Sequence, residues 1–158
     1  MERIPGIAAA ALDSISMEKR DTIITISTFG RNHVPIEMAL EAVQRGLTVI
    51  ALTSVEFSSQ VVSRHPSGKR LYELADIVID NCSPVGDAVV VVPGTRARNG
   101  PLSTIPGGTI LHALSCKICD LILGLGLTPP AYVSANDDDT EEYGEKIVKS
   151  FKERIGRS

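Results

Sequence analysis

Ser27, Thr28, Gly30, Arg31 and Asn32 stand almost side by side in the run "ISTFGRN", between a β-branched stretch and a helical one. Hydroxyls, an amide and a guanidinium around a glycine are the donors that hold an anion where a strand turns into a helix. The helix N-terminus leaves backbone N–H groups unpaired with a positive partial charge. Glycine permits a close backbone approach, and arginine offers a planar fork to phosphate oxygens. Capping and turning the chain would account for the same residues equally well. A second hydroxyl pair, Thr53 and Ser54, closes the next apolar run and is followed by Glu56. A third, Ser103 and Thr104, opens the longest helical stretch. If the strands are parallel, all three converge at one edge of a sheet, where ligands of open parallel sheets bind.

Other groupings are weaker. In "HALSCKIC", His112, Cys116 and Cys119 fall on one helical face at spacings a metal can use, but no second cysteine pair accompanies them, and packing is the expected role. Neither a metal nor a cofactor is called for. The acidic run "NDDDTEE" lacks the spacing and glycine of a calcium loop and reads as charge at a helix start. The basic end "KSFKERIGR" reads as a solvated helix face. His65, next to Pro66, reads as a loop or interface residue.

These residues must be positioned by a domain that 158 residues can supply once. A hydrophobic fraction of 43%, a charged fraction of 22% and a net charge of −3 describe an ordinary globular protein without the clustered positive charge that nucleic acid requires. Three cysteines, an odd number, favour a reducing cytoplasm. The longest apolar stretches are broken by Asp120, Gly124 and Gly126, so no membrane span is expected.

Along the chain, "PGIAAAALDSI" predicts a short helix, and "TIITIS" at 22–27 and "LTVIALTS" at 47–54 predict buried parallel strands. Between the two strands, Ile36, Met38, Ala39, Ala42 and Val43 keep helical period until Gly46. "DIVIDN" at 76–81 and "DAVVVV" at 87–92 predict a third and a fourth strand, with a loop before a helix over about 104–125 and a charged amphipathic helix at the end.

The strings "ISTFGRNHVPIEMALEAVQRGLTVIALTS", "SRHPSGKRLYELADIVIDNCSPVGDA", "GPLSTI" and "PPAYVSAN" resemble the SIS (sugar isomerase) domain, and within it the bacterial group often labelled phosphoheptose isomerase-like. The resemblance covers nearly the whole chain. It implies a three-layer flavodoxin-like fold with a mainly parallel sheet of about four strands flanked by helices, a single domain over 1–158, binding of a phosphorylated sugar, and a homodimer or homotetramer. Ser27, Thr28, Gly30, Arg31 and Asn32 would then hold the phosphate, and Thr53, Ser54, Ser103 and Thr104 the phosphate or sugar hydroxyls.

Aldose–ketose isomerisation moves a proton between adjacent carbons and needs a general base. Glu56 is the candidate, with His33 as a second proton carrier. Two departures favour the alternative of a non-catalytic sugar-phosphate-sensing or assembly module: Phe29 stands where the family loop has a second serine, and the chain resembles the carboxyl-terminal portion of a longer SIS protein.

Overall fold

The computed structural model describes residues 1–134 and 141–151. These fall into two compact units, residues 1–13 with 18–110, and residues 14–17 with 111 onward.

The first unit is built on a parallel sheet in the order β1-β2-β3, formed by β1 (Thr22–Ile26), β2 (Thr48–Thr53) and β3 (Ile77–Asp80). Ile24 lies opposite Ile50, and Leu52 opposite Ile79. The central strand β2 is the most deeply sealed: Val49, Ala51, Leu52 and Thr53 have no exposed surface. An uninterrupted apolar run suits such a strand because both of its faces are covered. Helix α2 (His33–Gln44) follows β1 and buries Pro35, Ile36, Ala39 and Ala42, the stripe that the 3.6-residue period selects. Pro35 is tolerated because the first turn has no intrahelical acceptor for its missing N–H. Arg45 caps the other end, and Gly46 follows at φ +74°, a conformation that costs glycine little. Helix α1 (Ile7–Asp13) packs on α2 through Ala8 and Leu12. A one-turn helix α3 (Val55–Ser59) follows β2 directly, and a 3₁₀ turn (Leu71–Glu73) precedes β3.

The α/β class and the parallel sheet agree with expectation, but the number of strands in that sheet differs. The valine run forms β4 (Ala88–Val91), which pairs antiparallel with β5 (Arg98–Pro101) in a two-stranded hairpin of its own, so the parallel sheet has three strands rather than four. The connection from Val92 to Ala97 is hairpin-sized, too short for the crossover a parallel neighbour needs. Part of the expected loop at 93–101 is therefore strand.

Helix α4 (Thr104–Gly124) begins in the first unit and continues into the second, which also contains α5 (Glu141–Phe151). Gly107 is the only buried residue of α4, and an added Cβ there would lie 3.7 Å from Leu52. By length and composition α4 is long and apolar enough to cross a membrane, with 6% of that stretch buried; one helix of this kind is weak evidence for a span. The acidic run at 136–140 and the basic chain end from 152 lie outside the described residues.

Candidate functional site

The turn leaving β1 is drawn together by its own polar groups. Ser27 N–H donates to Leu52 O at 3.0 Å, while Ser27 Oγ accepts from Gly30 N–H at 3.2 Å. Gly30 has φ +56°, and a Cβ added there would stand 2.9 Å from Ser58 Oγ, 3.2 Å from Leu71 Cβ and 3.3 Å from Thr53 Oγ1. Only glycine fits, in conformation and in space alike. Phe29 packs edge-on against the buried Phe57 with ring centroids 4.7 Å apart and is itself half-buried.

The end of β2 meets this turn, as expected, but its hydroxyls are engaged within the protein. Thr53 Oγ1 donates to Thr28 O at 3.3 Å, and Ser54 N–H donates to the same carbonyl at 3.2 Å. Ser54 Oγ donates to Ser83 O at 2.6 Å and accepts from Phe57 N–H at 3.1 Å, capping α3. Both residues are fully buried. Glu56, in the first turn of α3, is exposed. Ser103 is tied to the hairpin: its Oγ donates to Asp87 Oδ2 at 3.0 Å and its N–H to Asp87 Oδ1 at 2.8 Å, with Thr104 next to it, exposed, at the start of α4.

What gathers around the turn instead is a second segment. Arg64 N–H donates to Arg31 O and Leu71 N–H to Gly30 O, each at 2.8 Å, so the loop between α3 and the 3₁₀ turn lies against residues 30–31. Asn32 is 2% exposed and accepts from Arg64 Nη1 at 2.9 Å through its Oδ1; its side chain makes no capping bond to α2. The Nε of Arg31 is buried without a hydrogen-bond partner. No ion pair joins Arg3, Arg31 or Arg64 to a carboxylate among the described residues. Arg3 close by, partial burial and Arg31 all depress the proton affinity of Arg64 below the usual arginine range, with Glu2 opposing them. Guanidinium groups that repel one another beside an orphaned N–H form a site suited to an anion, since an unsatisfied buried donor costs about 1–3 kcal/mol.

His33 opens α2 one residue beyond Asn32, half-buried, with its Nδ1 3.9 Å from Glu37 Oε1 one turn along and its ring 5.5 Å from that of His65. Glu37 and Arg64 are not among the candidates that the sequence singles out, and His65 reads there as a loop or interface residue. The i, i+4 spacing of His33 and Glu37 was a readable signal; the approach of Arg64 and His65 was not, because it depends on where a loop returns.

Residues 1–54 match the SIS domain. The α/β architecture, a three-stranded parallel sheet flanked by helices, agrees with a SIS fold. The SIS match contains the glycine turn, α2 and β2 and ends at Ser54. Similar curated proteins include a UPF0309 protein of Caldanaerobacter subterraneus subsp. tengcongensis, 40% identical over 156 residues, which are 98% of this chain and 63% of that protein. Another, from Oceanobacillus iheyensis, is 41% identical over 155 residues, with the same two shares. A third, from Halalkalibacterium halodurans, is 40% identical over 96% of this chain and 62% of its own length. The chain thus spans less than two thirds of the length of these relatives.

Proposed function

We propose that the SIS segment binds a phosphorylated sugar, with Arg31 and Arg64 engaging the phosphate beside the turn Ser27–Asn32. The observation that carries this reading is the buried, unpartnered Nε of Arg31 next to a second arginine that forms no ion pair with a carboxylate among the described residues. Its reaction would be aldose–ketose isomerisation, with Glu56 as the base and His33 as a second proton carrier. A non-catalytic sensing or assembly module is the second reading. It is favoured by the burial of Thr53 and Ser54, which leaves the arginines as the principal binding groups, and by the exposure of Glu56. We further propose a cytoplasmic homodimer or homotetramer, without nucleic acid or membrane partners. The free thiols of Cys82, Cys116 and Cys119 support the compartment, and the exposed Ile118, Leu121, Leu123 and Leu125 support assembly.

Calorimetric titration with a panel of aldose and ketose phosphates tests the binding. Arg31→Ala and Arg64→Ala are each expected to weaken it by about 1.5–3 kcal/mol, the scale of a hydrogen bond to a charged group. Unchanged affinity in both variants would refute the arginine site. Solvent deuterium entering the sugar at C2, and lost in Glu56→Gln, would favour the isomerase over the sensing module.

A further inference from the structure

His33, Glu37 and His65 bring one ligand atom each to within 4.8 Å of the others, a grouping that stands alone of its kind among the described residues. Two of the three sit one turn apart on α2, and the third is on the loop held against residues 30–31 by the Arg64 and Leu71 amides. The positions are therefore fixed by backbone, not by side-chain chance.

Each side chain is oriented by a partner outside the cluster or left open toward it. Glu37 Oε2 accepts from Gly6 N–H at 2.8 Å, which leaves Oε1 facing His33. The Nδ1 of His33 is buried and makes no hydrogen bond; at 3.9 Å its contact with Glu37 is too long to be one. His65 Nδ1 lies 2.8 Å from Ser67 Oγ and 3.1 Å from Ser67 N, so this nitrogen is engaged and Nε2 is the one left over. Ser67 N–H donates to that nitrogen, so ligation through Nε2 shifts the imidazole proton to Nδ1, which then donates to Ser67 Oγ instead, the arrangement that supports a metal-bound imidazole. A cavity of about 260 Å³ lined by Glu37, His65, Glu41 and Gln44, among others, adjoins the cluster and has room for water ligands.

We infer that His33, Glu37 and His65 form a binding site for a divalent transition metal, Zn²⁺ being the ion that best suits two imidazoles, one carboxylate and water. Nitrogen donors disfavour Mg²⁺ and Ca²⁺, which take oxygen ligands. Zinc bonds of about 2.0–2.1 Å put tetrahedral neighbours about 3.4 Å apart, so binding draws the donors together by an amount that side-chain rotation supplies. The dication would also resolve a local mismatch, a buried imidazole nitrogen without a partner beside a carboxylate. This inference does not depend on phosphosugar binding, and a metal on His33 would take that imidazole out of the proton-carrier role.

Co²⁺ titrated into the full chain, followed by absorption, and Zn²⁺ followed by calorimetry provide the test. One equivalent should bind, with visible d–d bands and without a thiolate charge-transfer band. Glu37→Gln keeps an acceptor for Gly6 N–H, and His65→Asn alters only a loop position. Each should weaken binding tenfold or more while the far-ultraviolet circular dichroism stays as in the parent, and His112→Ala should leave binding unchanged. Absence of binding, a thiolate band, or an affinity unmoved by Glu37→Gln and His65→Asn would overturn the site.

Discussion

Helices α2 and α4 make opposite use of apolar residues. The shorter, α2, fully buries Ile36, Ala39 and Ala42. The longer, α4, is the more apolar, yet Ile105, Ile118, Leu121 and Leu123 are each 46–67% exposed. In α2 the apolar residues form a stripe that meets the parallel sheet and α1; in "TILHALSCKICDLILG" they run around most of the circumference. Composition sets how much surface a helix could hide, while periodic placement against a partner decides how much it does hide. A helix that is apolar all round needs cover on more than one side.

The approach to α2 offers the sharpest way to break this contrast. Gly30→Val should destabilise the protein by about 3–5 kcal/mol, combining the cost of a left-handed branched residue with overpacking against Ser58, Leu71 and Thr53. Urea denaturation measures it, and a loss below about 1 kcal/mol would mean that the turn is less constrained than its geometry indicates.

Next in size is the pair Ile36→Ala and Leu121→Ala. The first empties a fully buried site and should cost about 2–5 kcal/mol. The second removes a side chain that is 58% exposed and should stay within about 0.5 kcal/mol in dilute protein. Equal costs would show that α4 is covered in solution. If Leu121→Ala becomes costly only as protein concentration rises, the cover is a second copy.

The smallest effect is electrostatic and belongs to the sheet-bearing unit. Glu73 Oε2 accepts from Arg70 Nε at 2.9 Å and from Arg70 N–H at 2.8 Å. The side-chain bond from Arg70, chiefly, holds this carboxyl below its ordinary value of 4.5, with burial opposing. A depressed folded value means that the stabilisation is complete above the unfolded value and is lost as pH falls through the folded one. Glu73→Gln should therefore lower the thermal midpoint slightly at pH 7, with the difference from the parent shrinking below pH 4.5. A difference that grows on acidification would contradict the pairing.

Much of the first unit could be read from sequence because its signals are local. The run "TVIALT" lacks alternation, as a strand covered on both faces does, and Gly46 marks the end of α2; "TIITI" lacks alternation too and is a strand, but it is less buried than expected, with Thr25 its one buried residue and Ile26 53% exposed. "AVVV" lacks alternation as well and is nevertheless a hairpin strand, because an apolar run of that length does not say which partner it takes. At the site, residue types at 27–32 were visible, but side-chain direction was not. Thr53 and Ser54 point into protein, and residue type alone does not distinguish a hydroxyl that caps a helix from one that meets a ligand. Arg64 and His65 join residues 31–33 through a loop whose return is written in main-chain hydrogen bonds, which leave little trace in residue identity.

That returning loop also bears on the rate and entropy of recognition. With Arg64 N–H on Arg31 O, Leu71 N–H on Gly30 O, and Arg70 Nη1 on Ser59 O at 2.9 Å, the segment from Gln60 to Arg70 is closed at its base and pinned part-way along. The conformational freedom lost in closing such a loop is given up when the chain folds. A ligand arriving at Arg64 or His65 thus meets groups whose backbone is already ordered, so its association need not wait on loop closure, and little of its interaction energy is diverted to ordering the chain.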